Sequence, residues 1–229
     1  MIKAIFFDMD GVLYNSMPSH VQAWYDVATS LGIEASIDEF YLYEGRTGQS
    51  TINLLFNRSF GRDATPEEMQ RIYEQKARRF IELEQPESQP MAGALAVLQK
   101  VKSLGLQRII VTGSGQHDLF AKLDKHFPGF FDRNLMVTAY DVQYGKPHPE
   151  PYLMALKKAD ISPKEAMIVE NAPLGVESGH AAGIYTVAVN TGPLPDQVLW
   201  DAGADIVYPS MQVLSENIEN LIHSLSYPS

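Results

Sequence analysis

Four short segments hold the side chains able to do covalent chemistry. Asp8 and Asp10 stand two residues apart at the end of an apolar stretch. Thr112 and Ser114 sit in a Gly-rich run, Thr112-Gly113-Ser114-Gly115, that also follows an apolar stretch. Lys146 lies between Gly145 and Pro147, and Glu170-Asn171 follows Ala166–Val169. Phosphoryl transfer through an aspartate is the chemistry that needs this set. A carboxylate nucleophile must approach a phosphorus ringed by negative oxygens, and a carboxylate-bound magnesium ion offsets that repulsion. Backbone N–H groups of a Gly-rich turn, a hydroxyl and a lysine can hold the equatorial oxygens where charge spreads in the transition state. A second acid can protonate the leaving oxygen and later take a proton from water. Asp8 is the candidate nucleophile and Asp10 the candidate acid/base, since residues two apart share one side of an ideal strand. Thr112, Gly113, Ser114 and Lys146 are the candidate phosphate holders.

In open parallel sheets, ligands sit beyond the carboxyl ends of the strands, so the four segments need strands to deliver them. Ile2–Asp8 reads as a buried strand, and so do Arg108–Val111, Leu135–Thr138, Ala166–Val169, Thr186–Val189 and the short Ile206–Val207. Helical spacing predicts Ala92–Leu104, capped by Gly105, then Asp118–His126, Glu150–Ala159, Leu174–Ala182 and Val213–Leu225. This alternation predicts an α/β fold with a doubly wound, Rossmann-like parallel-sheet core. From Pro18 to Ile81 the pattern is helical throughout, as in Val21, Trp24, Tyr25, Ala28 and Leu31. Thr65-Pro66-Glu67-Glu68 marks a helix start by its cap, first-turn Pro and early acids. Glu84–Pro90 is a polar, proline-bearing link. The expected organisation is a core of residues 1–15 and 89–229 with an inserted all-helical cap domain, 16–88.

These residues resemble the haloacid dehalogenase superfamily. Phe6-Phe7-Asp8-Met9-Asp10-Gly11-Val12 looks like its first motif, and Thr112, Lys146 and Glu170-Asn171 fall in the order and approximate spacing of the other three. Gly145–Tyr152 and Glu170–Val176 are close to the family's versions. Within the superfamily the chain looks most like the β-phosphoglucomutase-like branch. Asn15-Ser16, His20 and Trp24 resemble that branch's first cap helix, and Gly45-Arg46-Thr47 its cap substrate loop. The resemblance implies a magnesium site at Asp8, Asp10, Glu170 and Asn171. It also implies a small phosphorylated substrate, contacted by His20, Trp24, Gly45, Arg46 and, as a further candidate, Lys76.

Two departures shape the expected activity. Asn171 stands where the family usually has a second metal-binding aspartate. An amide oxygen can ligate magnesium but brings no charge, so weaker binding is expected, with Glu170 carrying more of it. A phosphomutase also needs a second cationic grip on a bisphosphate, and an ungapped alignment puts Gly48 and Gly115 at those places, with Arg46 nearby. This favours hydrolysis of a small sugar phosphate or related phosphomonoester. The alternative is a β-phosphoglucomutase-type isomerase converting β-glucose 1-phosphate to glucose 6-phosphate. Asp10 argues against a dehalogenase, whose reaction has no leaving oxygen to protonate and whose family members lack an acid there.

Composition narrows the setting. The chain has 229 residues with 45% hydrophobic and 20% charged, ordinary for a globular protein with a real core. No cysteine means no disulfides, no thiolate chemistry and no Cys-based zinc site. Eighteen basic against 28 acidic residues give a net charge of −10, which repels nucleic acid and anionic lipid. The densest basic cluster, Lys76-Ala77-Arg78-Arg79, reads as a solvated helix face. Apolar runs are short, so no membrane span is expected. The opening residues run into a strand without a leader pattern, so a cytoplasmic setting is expected, and the length fits a monomer.

Overall fold

The computed structural model describes residues 1–84, 87–114 and 119–226. The chain begins with β1 (Ala4–Phe7) and then enters four helices: α1 (Met17–Ser30), α2 (Ile37–Leu42), α3 (Gly48–Phe60) and α4 (Pro66–Leu83). It returns through α5 (Ala94–Ser103), β2 (Gln107–Ile110), α6 (Leu119–His126), α7 (Glu150–Ala159) and β3 (Ala166–Glu170). It ends with α8 (Pro173–Ala181), β4 (Tyr185–Val189), α9 (Asp196–Asp201), β5 (Ile206–Tyr208) and α10 (Met211–Ser226). The strands form one parallel sheet in the order β2-β1-β3-β4-β5. This is the doubly wound α/β core with a helical insertion that the alternation predicts.

The central strands β1, β3 and β4 are short and buried on both faces, which is why they read as largely apolar runs. Ile5 and Phe7 of β1 turn one way, with Val97, Leu98 and Val101 of α5 and Leu214 and Ile218 of α10. Ala4 and Phe6 turn the other, against Tyr152 and Ala155 of α7. The inserted helices have a separate core of Val21, Phe40, Ile52, Leu55, Phe56 and Ile72. The start of α4 is fixed by the pattern read from sequence: Thr65 Oγ1 accepts from Glu68 N (3.2 Å), and Thr65 N donates to Glu68 Oε2 (2.8 Å).

Three sequence readings change. Leu135–Thr138 is not a strand, because only Val137 pairs, in a single parallel bridge with Val111. An Asp132–Leu135 turn and the Thr138–Asp141 contacts pull the chain off the sheet on either side. The short α2 and α9 escaped the pattern reading, being one to two turns long. β1 stops at Phe7, so Asp8 and Asp10 leave the strand and enter a tight loop in which Leu13 N and Tyr14 N both donate to Met9 O. Gln85, Pro86, Gly115, His117 and Asp118 lie outside the described residues. Where α4 ends, Glu84 pairs with Lys122 of α6 (3.2 Å), both side chains 9% exposed. This buried ion pair ties the last inserted helix to the core.

Candidate active site

Sheet register creates the site. Phe7 lies opposite Ile110 on one side and Val169 on the other. One residue further along, Asp8, Val111 and Glu170 therefore stand abreast at the carboxyl ends of three adjacent strands. Lys146 reaches across them from its loop. Its Nζ donates to Asp8 Oδ1 (2.6 Å), Val111 O (3.0 Å) and Glu170 Oε1 (2.5 Å). An ammonium has three donors, and all three are used. Tyr152 Oη also donates to Glu170 Oε1 (2.6 Å), while Glu170 Oε2 accepts from Asn171 N (3.1 Å). Burial and the neighbouring acids Glu170 and Asp10 push the Asp8 carboxyl up to about 8 against the pull of Lys146. The two carboxylates outweigh burial at Lys146 and hold its ammonium above its ordinary range.

Asp10 turns away from this group towards the first inserted helix. Ser16 Oγ donates to its Oδ1 (2.5 Å), and His20 Nε2 stands 3.3 Å from the same atom. Burial alone would raise the Asp10 carboxyl, but His20, Ser16 and Lys76 outweigh it and hold it low. Lys76 Nζ lies 2.5 Å from His20 Nδ1 and 5.5 Å from the centre of the Trp24 ring. Because an ammonium only donates, Nδ1 must accept, and the imidazole proton sits on Nε2 facing Asp10. Lys76 is buried, not part of a solvated face. Its spacing from Ile72 and Phe80, four residues either way on the buried stripe of α4, was the signal for this.

The Gly-rich run and the inserted helices close over Asp8. Asp8, Asp10, Thr112, Gly113 and Ser114 share one cleft with His20, Trp24, Gly45, Arg46 and Lys76. Ser114 N donates to Thr112 Oγ1 (3.0 Å), which leaves the Thr112 O–H as a donor towards the cleft. Gly11 has φ +84°, and a Cβ there would lie 2.0 Å from Asn171 Nδ2, so only glycine fits this turn. At Gly113 a Cβ would meet Gly45 O at 2.8 Å, which shows how tightly the loop before α3 presses on the core. Arg46 Nη1 donates to Ser50 Oγ (3.0 Å), and its buried Nε has no partner among the described residues. Three residues missed in the sequence also belong here. Tyr152 lies within the Gly145–Tyr152 motif, Tyr43 lines the cleft, and Glu44 accepts from Asn171 Nδ2 (2.8 Å).

The donor set suits a hard divalent cation. Asn171 is 8% exposed, and its Oδ1 has no hydrogen-bond partner among the described residues. Burial and the charges of Asp8, Glu170 and Asp10 push the Glu44 carboxyl well up despite its bond from Asn171. Oxygen donors with excess negative charge are what magnesium takes. Among the described residues no three His, Asp or Glu side chains form a ready-made metal cluster. Lys146 occupies the space between Asp8 and Glu170, and position 171 is an amide.

The sequence profile of the haloacid dehalogenase-like hydrolases matches residues 2–183. The chain belongs to this family. A solved structure from Bacteroides vulgatus, provisionally named a β-phosphoglucomutase, is 51% identical with a TM-score of 0.94, covering 99% of this chain and 91% of that one. The phosphorylated carbohydrates phosphatase of Thermotoga maritima is 29% identical over 93% of this chain and 97% of its own. Hexitol phosphatase A of Escherichia coli is 31% identical over 82% of this chain and 83% of its own. This haloacid dehalogenase-like protein is thus an enzyme of the phosphatase and phosphomutase kind. Among its described residues no helix is long and apolar enough to cross a membrane.

Burial of Lys76 outweighs the pull of Asp10 and Glu84 and brings its ammonium down to about 8 from the ordinary 10.5. Below pH 8 the fold must therefore bury a charge, and that penalty is relieved as pH rises from 8 towards 10.5. Lys76→Met should raise the unfolding free energy at pH 7 by about 1–3 kcal/mol. Denaturant unfolding should show the gain shrinking by about pH 10. Gly113→Ala should prop the loop of Gly45 and Arg46 off the core. Steady-state kinetics should show a loss of about ten- to a hundredfold, with thermal unfolding placing the stability change below about 1 kcal/mol.

Proposed function

We propose that the enzyme hydrolyses a small sugar phosphate or related phosphomonoester through an aspartyl-phosphate on Asp8. The observation that carries this reading is the meeting of Asp8, Lys146 and Glu170 at abreast strand ends, beneath a cleft that also holds Asp10 and the Thr112–Ser114 turn. Residues 16–88 are read as the cap that opens to admit substrate, and 1–15 with 89–229 as the core.

A carboxylate oxygen of Asp8 attacks phosphorus, and the bond from phosphorus to the ester oxygen breaks. Lys146, exchanging one of its three present acceptors for the substrate, the Thr112 hydroxyl and the Gly113 backbone N–H, with the Ser114 turn beside them, hold the remaining phosphoryl oxygens. The leaving oxygen takes a proton from Asp10. Asp10 is held low in the substrate-free site, and a phosphoryl dianion beside it lifts it towards the range where it carries that proton. Asp10 then takes a proton from the water that cleaves the phosphoaspartate. Asp8, Asp10, Glu170 and Asn171 are the candidate magnesium ligands, and the ion when bound offsets the repulsion between carboxylate and phosphoryl oxygens. The relatives named for phosphorylated carbohydrates and hexitol phosphates support a sugar-phosphate substrate.

A mutase reading has its own support. Arg46 presents a buried, unpartnered Nε at the cleft and could grip a distant phosphate, and the relative at 51% identity carries a phosphoglucomutase name. Against it, Gly48 cannot be replaced by a basic side chain without displacing Tyr73, whose ring would lie 2.4 Å from a Cβ. Gly115, the other position, lies outside the described residues.

Phosphate release over a panel of phosphorylated sugars and polyols, with magnesium and then with chelator, tests the main reading. Asp8→Asn should fall below about one thousandth of the wild-type rate, and a substantial residual rate would disprove attack by Asp8. β-Glucose 1-phosphate with a trace of the bisphosphate separates the two activities. Glucose 6-phosphate without net phosphate release would assign the isomerase.

A further inference from the structure

The acids around Asp8 outnumber the cations that serve them. Lys146 answers Asp8 and Glu170, and Asp10 has His20 with Lys76 behind it. Glu44, half-buried in the same cleft, pairs with no Lys, Arg or His among the described residues. Its hydrogen-bond donor is Nδ2 of Asn171, at 2.8 Å. A carboxyl held among other acids stays ionised only where a cation is supplied, and otherwise keeps its proton.

The Asn171 amide shows where that cation belongs. Its NH2 end is taken by Glu44, and its flank is pressed against Gly11. The end left over is Oδ1, buried and without a partner among the described residues. An amide could turn either way at this position. Only with Glu44 accepting from Nδ2 is the oxygen, and not the NH2, the atom presented to a cation. Glu44 also lies in the loop that leads into Gly45, whose carbonyl abuts Gly113 of the core. The carboxylate therefore comes into place when that loop sits down.

We propose that Glu44, a residue of the inserted cap, is part of the divalent-cation site: it brings the negative charge that Asn171 lacks and turns Asn171 so that Oδ1 faces the ion. This rests on the reading of the site as magnesium-dependent. Cation binding and cap closure must then favour each other, because coupling between two binding events is reciprocal.

The test is a magnesium titration by calorimetry on the full chain and on Glu44→Gln, Asn171→Asp and the double variant, with thermal unfolding of each in chelator and in magnesium. Glu44→Gln should weaken magnesium binding about tenfold or more. In chelator it should melt no lower than wild type, since a carboxylate without a cation has been removed. Adding Asn171→Asp to Glu44→Gln should restore binding, whereas Asn171→Asp alone should gain less because two acids then face each other. Unchanged affinity in Glu44→Gln, with wild type binding magnesium, would overturn the proposal and leave the phosphatase reading intact. A lower melting temperature of Glu44→Gln in chelator would also overturn it, by assigning Glu44 a structural role. Absence of magnesium binding in wild type would instead sink the metal-dependent reading itself.

Discussion

Lys146 carries a full positive charge to a position only 2% exposed, and the site is organised around that charge. A buried ammonium is tolerable only when each of its protons has an acceptor and its charge is answered. Here the acceptors come from the ends of β2, β1 and β3, which are neighbours in the sheet. The requirement is therefore met only at one register. Slipping β1 by one residue against β3 would replace Asp8 with an apolar neighbour and turn every side chain of the strand to the opposite face. Sheet register and catalytic geometry are a single constraint. The large apolar cores on both faces of the sheet supply the stability that lets such a charged knot persist.

Charge is then divided between the two parts of the molecule. The core supplies Asp8, Lys146, Glu170 and the Thr112 turn, all on or next to strand ends, where backbone bonding leaves little freedom. The inserted helices supply His20, Lys76, Arg46 and Glu44, whose positions depend on how the cap sits. Two links set that position. One is the buried Glu84–Lys122 pair at the end of α4, and the other is the close approach of Gly45 to Gly113. The first joins the end of α4 to the middle of α6. The second is a close backbone approach between the loop before α3 and the turn after β2. On the proposed reading, the residues that contact the substrate's far end lie on the inserted segment, and those at the phosphorus lie on the sheet.

Much of this was legible in the sequence, and the exceptions have physical reasons. Strands buried on both faces announce themselves as apolar runs, and each of the four motif segments follows one or lies in a loop beside them. Where a strand rests on one bridge, as at Val137, apolar character alone misleads. The same limit applies at Asp8 and Asp10, where strand periodicity was extended past the point at which β1 ends. The two acids consequently take different partners, Lys146 and His20. Lys76 was obscured by its basic neighbours, although its spacing of four residues from both Ile72 and Phe80 placed it on the buried stripe. Glu44 had no local signal. Its role comes from meeting a residue 127 positions away, and nothing within a helical or strand window can show that.

That meeting changes how the amide at 171 is understood. Taken along the chain, Asn171 is a carboxylate lost from the core. In the proposed site the carboxylate is supplied instead by Glu44 of the inserted segment, and the amide is the joint between the two. An aspartate at 171 could not play this part, because it has no N–H to offer Glu44 and would repel it. With an amide there, the core alone holds less negative charge, and the full complement assembles only as the cap closes. The cation is then held best in the same state that excludes water from Asp8. On that proposal the ion would be held together with the enclosed substrate, where it would offset the repulsion between Asp8 and the phosphoryl oxygens.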